Sequence, residues 1–457
     1  MKGISRVLIA NRGEIAVRII RACREMEIHS VLAVSEADQD SLAARMADRT
    51  VCIGPAHPAG SYLKVETIIA AALGAGADAI HPGYGFLAEQ PSLPDACAKY
   101  DLIFVGPKAE SIRKMGDKLV AREMARAVGI PVIPGSTLIG DHIEARRMAE
   151  KIGYPVLLKA TAGGGGKGMK IARGHGDLKT LFDEASAEAR NAFGDERLYM
   201  EHFISNARHI EVQIFGDALG NIVHLFERDC SLQRRYQKMV EEAPSSAVDT
   251  ELRNQICQAA IDIARHIQYE NAGTVEFILD QDQDRFYFLE MNTRIQVEHP
   301  VTEMVTGVDL VKEQFRVSGG QALSITQEEI KLTGHAVECR INAESPQRGF
   351  QPSPGRISRW EIPEETGIRI DSHCYAGYFV PPYYDSLLAK IIATGDDRLQ
   401  AIERMQNGLR HFLVSGVDTN IEFHRFLLNK PDYRQGHVNT RWVENLLAEE
   451  YEHHEND

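Results

Sequence analysis

Apolar and polar positions alternate with two different periods through the first quarter of the chain. The short apolar runs RVLIA (Arg6–Ala10) and VLAVS (Val31–Ser35) have the character of buried strands. After the first of them Ile15, Ile19, Ala22 and Met26 recur at helical spacing. A helical stretch near Ser61–Leu73, then ADAIHP and LIFVGP, continue the alternation. Strand following helix in this way predicts a doubly wound parallel sheet, placed at residues 1–115. The corner IANRGEIA lacks the G-x-G-x-x-G spacing, so it reads as a structural strand–helix corner rather than a dinucleotide site.

From Gly116 the pattern changes. A helix begins near Asp117, whose carboxylate can cap it, and the glycines and prolines of VGIPVIPG end it. HIEARRMAEKIGYP repeats the helix-then-Gly-Pro ending. PVLLKA then reads as a strand, and MKIA as its return strand across a run of glycines. Residues 132–203 are thus expected to form a small α+β lid within a larger unit, 116–319. GTVEFIL and RFYFLEMN, on either side of the polar DQDQD, are strongly strand-like. Short strands and a helix near Asp397–Phe412 predict a C-terminal domain at 333–445, and residues 446–457 read as a solvated, frayed polar tail. The whole is α/β and α+β, in several domains.

Composition narrows the function. A chain of 457 residues, 44% hydrophobic and 25% charged, is long enough for several cores. A net charge of −14 argues against nucleic acid or an anionic membrane as main partner. No apolar run is long enough for a membrane span or a signal segment. Seven scattered cysteines without a CxxC pair suggest reduced thiols in a cytoplasmic protein, and no zinc site.

The glycine run in KATAGGGGKGMK is not a Walker A motif, because Met169 follows Gly168 where lysine is required. It suits the tip of a hairpin whose bare backbone amides approach phosphate oxygens, with Lys159 reaching in from the strand end. A mobile hairpin with no ligand has the same pattern. The downstream pair of strands adds more. A hairpin centred near Gln283 brings Glu276 opposite Glu290, among Val275, Phe277, Phe288 and Leu289. Facing, partly buried carboxylates are destabilising unless a cation lies between them. Asn292, two residues on, offers a third oxygen, and an all-oxygen set suits Mg²⁺ or Mn²⁺. If the chain stays extended, Glu290, Asn292, Arg294, Gln296 and Glu298 share one polar face.

Together MGDK, KATAGGGGKGM, ERDCSLQRR, VEFI and EMNTRIQVEHPVTEM resemble the ATP-grasp enzymes. IANRGEIAVRI, HPGYGFLAE, GHAVECRINAE and PPYYDSLLAKI make the chain similar to the biotin carboxylases in particular. The resemblance implies a preATP-grasp domain, an ATP-grasp module with a glycine-rich lid, and a C-terminal domain. It implies ATP-dependent carboxylation of biotin by bicarbonate through carboxyphosphate, as a subunit of acetyl-CoA carboxylase or of a pyruvate, propionyl-CoA or 2-oxoglutarate carboxylase. Carried over by position, Lys118 and Lys159 match phosphate-binding lysines, and Gly165 and Gly166 the lid tip. Glu201, His202, Phe203, Ile204, His209, Gln233, Tyr236 and Ile278 match nucleotide contacts. Glu276, Glu290 and Asn292 match ligands of two Mg²⁺ or Mn²⁺ ions. Lys238, Arg294, Gln296 and Val297 match a bicarbonate pocket, Glu298 the general base, and Arg340 the group that stabilises the biotin enolate. Tyr84 matches a position near the biotin ring. Tyr236 stands where similar bacterial members often have histidine.

The resemblance further implies a homodimer. No string matches the biotinyl-lysine motif AMKM, so biotin is expected on a separate carrier protein, with carboxyltransferase subunits as further partners. The alternatives are another ATP-grasp ligase and a non-catalytic nucleotide-binding regulatory subunit. HPGYGF and GHAVECRINAE weigh against the first, and the intact Glu276, Glu290, Asn292, Arg294 and Glu298 against the second.

Overall fold

The computed structural model describes residues 3–161 and 169–454. Strands β1 (Arg6–Ile9), β2 (His29–Val34), β3 (Arg49–Cys52), β4 (Ala79–His81) and β5 (Ile103–Phe104) form a parallel sheet in the order β3-β2-β1-β4-β5. Its central strands β1, β2 and β4 are buried on both sides because both faces are covered, whereas the edge strand β3 is largely exposed. Val7 and Ile9 pack with Ile15 and Ile19 of the helix Gly13–Glu25, while Leu8 packs with Ile68 and Ala72 of the helix Val65–Ala75. This is the doubly wound sheet expected from the alternating pattern.

Strand order reverses at β1, which has β2 on one side and β4 on the other. The crevice for a ligand in such a sheet lies at that switch point, beyond the carboxyl ends of the strands. Asn11, after β1, ties the two switch-point loops by donating from Nδ2 to the carbonyls of Pro82 and Tyr84, each at 2.6 Å. Gly83 has φ +60°, and a Cβ there would lie 2.9 Å from Asn11 Nδ2, so this loop requires glycine.

Asp117 caps the helix Lys118–Ala127 as expected, accepting from the amides of Leu119 and Val120 at 3.0 and 3.1 Å. Beyond the helix His142–Ile152 comes a three-stranded antiparallel sheet, β7-β6-β8, made of β6 (Val156–Ala160), β7 (Lys170–Ala172) and β8 (Leu198–His202). The helix His175–Phe193 packs on it through Leu178, Phe182 and Ala185. The β6–β7 pairing is the hairpin read from the sequence. Strand β8 was not, because LYMEH is buried at four consecutive positions and shows no alternation.

An eight-stranded sheet forms the main wall of the molecule. It contains β9 (Ala207–Gly216), β10 (Ile222–Arg234), β11 (Gln237–Ala243), β12 (Asn271–Asp280), β13 (Arg285–Asn292), β14 (His335–Asn342) and the strands Leu387–Gly395 and Ile368–Ser372. Their order is β13-β12-β9-β10-β11-β14, then Leu387–Gly395, then Ile368–Ser372, all antiparallel. The sheet therefore runs straight across the expected 319–333 boundary, with β11 and β14 hydrogen-bonded side by side.

The frayed tail expected from residue 446 is corrected. A helix, Trp442–His454, continues through it, because Val443, Leu446 and Leu447 form an apolar stripe against the core that includes Tyr433 and Val438. Among the described residues, no helix is long and apolar enough to cross a membrane.

Candidate active site

A cleft of about 1240 Å³ opens between the switch-point loops, the lid sheet and the eight-stranded sheet. Its wall carries a row of carboxylates. Glu276 pairs in register with Glu290 on β13 and with Glu211 on β9, so three glutamates lie abreast across neighbouring strands. The Glu276–Glu290 pairing is the one read from the sequence, but it arises differently. Asp280 faces Arg285, which centres the turn between Asp282 and Gln283, and Phe277 faces Phe288. The register shifts between Glu276 and Phe277, so Leu289 is an extra residue and Glu290 slides opposite Glu276.

Lys238 offsets the crowding. Its Nζ donates to Glu211 at 2.5 Å, Glu276 at 2.9 Å and Glu298 at 2.7 Å. Burial opposes its charge, but the three carboxylates outweigh that and hold the ammonium pKa well above the usual lysine range. Glu276 also lies 3.1 Å from His209 Nε2 and accepts from Asn292 Nδ2 at 2.9 Å. Despite burial, Lys238 and His209 keep its carboxyl far below the ordinary range. Glu290 is more open to the cleft, with Lys118 Nζ 3.7 Å away. Adjacent Glu276 and Glu290 with Asn292 close by give oxygen donors only, a set that fits hard divalent cations.

The expectation that the chain stays extended beyond Asn292 is corrected. β13 ends there, the backbone bends at Arg294, and Val297–Glu298 form a turn into the helix His299–Thr306, with Pro300 at its start. The polar residues converge all the same. Arg294 donates to Glu89 at 2.8 Å, Gln296 at 2.8 Å and Asn292 at 3.3 Å. Glu298 is fully buried and bonded through one oxygen to Lys238 and through the other to Arg340 Nη2 at 2.9 Å. Burial would raise its pKa, but Lys238, Arg340 and Arg228 hold it well below the carboxylate range. Arg340 also donates from Nε to Glu241 at 2.5 Å.

The expected nucleotide residues line the other end of the cleft. Lys118, Lys159, Glu201, His202, Phe203, Ile204, His209, Gln233, Tyr236 and Ile278 all border it. Lys159 is buried and donates to Glu201 at 2.9 Å, and Glu201 also pairs with Arg122. Burial, with Lys118 nearby, pulls the Lys159 ammonium pKa down. His209 Nδ1 lies 2.8 Å from Gln233 Nε2, which orients the imidazole toward Glu276. Tyr236 sits, 42% exposed, in the turn between β10 and β11. Gly165 and Gly166 lie outside the described residues. On the opposite side, Gln296, Val297 and Tyr84 border the cleft, and the Tyr84 hydroxyl bonds Glu14.

A family profile described as the biotin carboxylase N-terminal domain matches residues 3–112, and one described as the biotin carboxylase C-terminal domain matches residues 338–445. Between them, residues 117–326 match the ATP-binding domain of the carbamoyl-phosphate synthase L chain. Biotin carboxylase 1 of Bacillus subtilis is 51% identical over 442 residues, covering 96% of this chain and 98% of that one. The chain belongs to the biotin carboxylase family. Biotin carboxylases are ATP-dependent ligases, and other relatives serve different acceptors. A pyruvate carboxylase subunit of Methanothermobacter thermautotrophicus is 48% identical, over 96% of this chain and 89% of that one. The biotin carboxylase domain of Hydrogenobacter thermophilus 2-oxoglutarate carboxylase is 46% identical, with TM-score 0.95 over 97% of this chain and 98% of that one. That structure is described as a dimer in complex with MgADP, ADP and bicarbonate.

Around this biotin carboxylase cleft are charged residues that the sequence reading passed over. Glu211 completes the carboxylate row and is held by Arg228, each of whose three side-chain nitrogens finds a partner: Glu211 at 2.5 Å, Gln213 at 2.8 Å, Thr274 at 3.0 Å and Thr302 at 3.0 Å. Glu89 receives Arg294, and Glu241 receives Arg340. A period-two signal for Glu211 was present, since His209, Glu211 and Gln213 alternate with Ile210, Val212 and Ile214. Arg12 and Glu14 of the corner read as structural also border the cleft, and Lys390 anchors Glu14 at 3.0 Å.

Proposed function

We propose that this chain carboxylates N1′ of biotin carried on a separate carrier protein, using ATP and bicarbonate, as the first half-reaction of an acetyl-CoA carboxylase. The observation that carries the reading is the common wall on which Glu276 and Glu290 adjoin the Lys238–Glu298–Arg340 cluster. It supports a metal-nucleotide site beside an acid–base site. Lys118 and Lys159 would bind the phosphates, while Glu276, Glu290 and Asn292 would hold the divalent ions. When bound, Mg²⁺ or Mn²⁺ neutralises phosphate charge and aligns the γ-phosphoryl group.

Glu298 takes the bicarbonate proton. Lys238 and Arg340 keep it ionised while the cleft is free of substrate, and substrates that engage those two cations loosen their hold and raise its basicity. The bicarbonate oxygen then attacks the γ-phosphorus, releasing ADP and forming carboxyphosphate. Carboxyphosphate splits to CO2 and phosphate, the phosphate accepts the N1′ proton, and the biotin enolate attacks CO2. Arg340 stabilises the enolate oxygen, and Arg294 with Gln296 orients bicarbonate.

ADP release should require bicarbonate and rise with free biotin; a rate indifferent to both would sink the reading. Identity of 48% to a subunit of pyruvate carboxylase supports pyruvate as a second acceptor reading. Reconstitution with biotinylated carrier and each carboxyltransferase separates the two. The dimer described for the 2-oxoglutarate carboxylase domain supports a homodimer here.

A further inference from the structure

Behind Arg340 lies a second pair of carboxylates. Glu241 on β11 and Glu338 on β14 are register partners, and both side chains are fully buried. Glu241 accepts from Arg340 through Oε1, but its Oε2 has no hydrogen-bond partner among the described residues. Among the same described residues, neither oxygen of Glu338 has one. Two buried, adjacent carboxylates cannot both stay ionised, since each charge raises the cost of the other and water is excluded.

The charges around the pair do not remove the conflict. Lys390, in register with Arg340, spends its Nζ on Glu14 at 3.0 Å and on the Val297 carbonyl at 2.8 Å. Arg340 on the same strand is shared between Glu241 and Glu298. The helix His299–Thr306 covers this side and carries two titratable groups. His299 Nδ1 is bonded to the Gln296 carbonyl at 2.7 Å, and Glu303 is bound to Arg18 and Arg369. The helices Arg398–His411 and Ile421–Asn429 pack on the other face of β14, against Val337 and Cys339.

We propose that Glu241 and Glu338 share one proton at neutral pH and act as a positioning pair for Arg340, presenting its guanidinium with one negative charge instead of two. The pair's role in catalysis rests on the reading of Arg340 as the group that stabilises the enolate. Burial, with Glu241 and Glu298 adding to it, pushes the Glu338 carboxyl well above its ordinary range against the pull of Lys390 and Arg340. Burial likewise pushes Glu241 up to about 7. Because these values are raised, the shared proton is kept at low pH and lost as pH rises. A second charge then appears behind Arg340 and cancels part of the positive field that biotin needs.

Infrared spectroscopy of the full chain in H2O and D2O reads the proton directly. Wild-type protein at neutral pH should show a protonated-carboxyl carbonyl band that Glu338→Gln lacks. Glu338→Met is the second variant, and nucleotide binding reports that each is folded. A band unchanged in both variants would overturn the shared proton. In kinetics with free biotin, Glu338→Gln should shift the alkaline limb of kcat to higher pH while KM for ATP stays as in wild type. If the band is lost but the limb does not move, the link to Arg340 is overturned. A wild-type chain that never carboxylates biotin fails the functional reading instead, and the infrared result stands apart from it.

Discussion

One ammonium group holds the proposed reaction centre together. Lys238 touches three carboxylates at 2.9 Å or less, and each of them lies on a different segment of the chain. A buried cation shared in this way binds the carboxylates of β9, β12 and the Val297–Glu298 turn into one unit. Substituting Glu298 by Gln keeps the shape and removes the proposed base, so turnover should fall by roughly 10²–10⁴-fold with nucleotide affinity retained. Calorimetric titration with ADP beside steady-state rates checks this, and a parallel loss of nucleotide binding would assign Glu298 a structural role. Glu276 and Glu290 were legible because they sit among aromatics on the two strands that flank one turn, although the bulge at Leu289 is what sets them opposite each other. Glu211 was not singled out, because its partners Arg228 and Lys238 are 17 and 27 residues away in sequence. Which charge answers which is a property of the folded sheet.

At the scale of elements, strands and helices with clear periodicity were readable, and irregular ones were not. The alternating β1–β5 unit, the Asp117 cap and the β12–β13 hairpin follow from local pattern. The extra residue Leu289 does not, since a bulge is set by packing on both faces of a strand. Nor does the bend after Asn292, where period-two polarity continues although the strand has ended. The paired carboxylates make a specific prediction. Glu290→Gln keeps the bulge and removes the carboxylate opposite Glu276. Mg²⁺-dependent ADP binding should then weaken while far-ultraviolet circular dichroism stays close to wild type. Unchanged Mg²⁺ dependence would refute the paired-carboxylate site.

Across the whole molecule, buried ion pairs join parts that are distant in sequence. Glu242 on β11 accepts from Arg398 at 2.7 and 2.9 Å and lies 3.0 Å from His335 Nε2 on β14. Although burial opposes it, His335 and Arg398 push the Glu242 carboxyl far below its ordinary range. A depressed carboxyl contributes stability that is complete above the unfolded-state pKa and lost as pH falls through the folded value. Melting temperature should therefore hold from neutral pH down to about pH 5 and fall below it. Glu242→Gln should cost about 3–5 kcal/mol at neutral pH, because Arg398 loses its carboxylate partner and keeps only the carbonyls of Tyr433 and Arg434, and flatten the acid limb. The same scale explains why sequence placed a boundary between 319 and 333 where the sheet has none: composition changes there, but β11 and β14 pair across it.

The cleft draws on all of these parts, from the Tyr84 loop through the carboxylate row to Arg340 on β14. Its proposed task is to couple ATP cleavage to biotin carboxylation. The most direct measurement is transfer of isotopically labelled bicarbonate carbon to free biotin, with and without ATP, in wild-type protein and in Glu298→Gln. Label should appear in biotin only with ATP and Mg²⁺, and Glu298→Gln should reduce it as it reduces ADP release. ATP cleavage without any label in biotin would contradict the account.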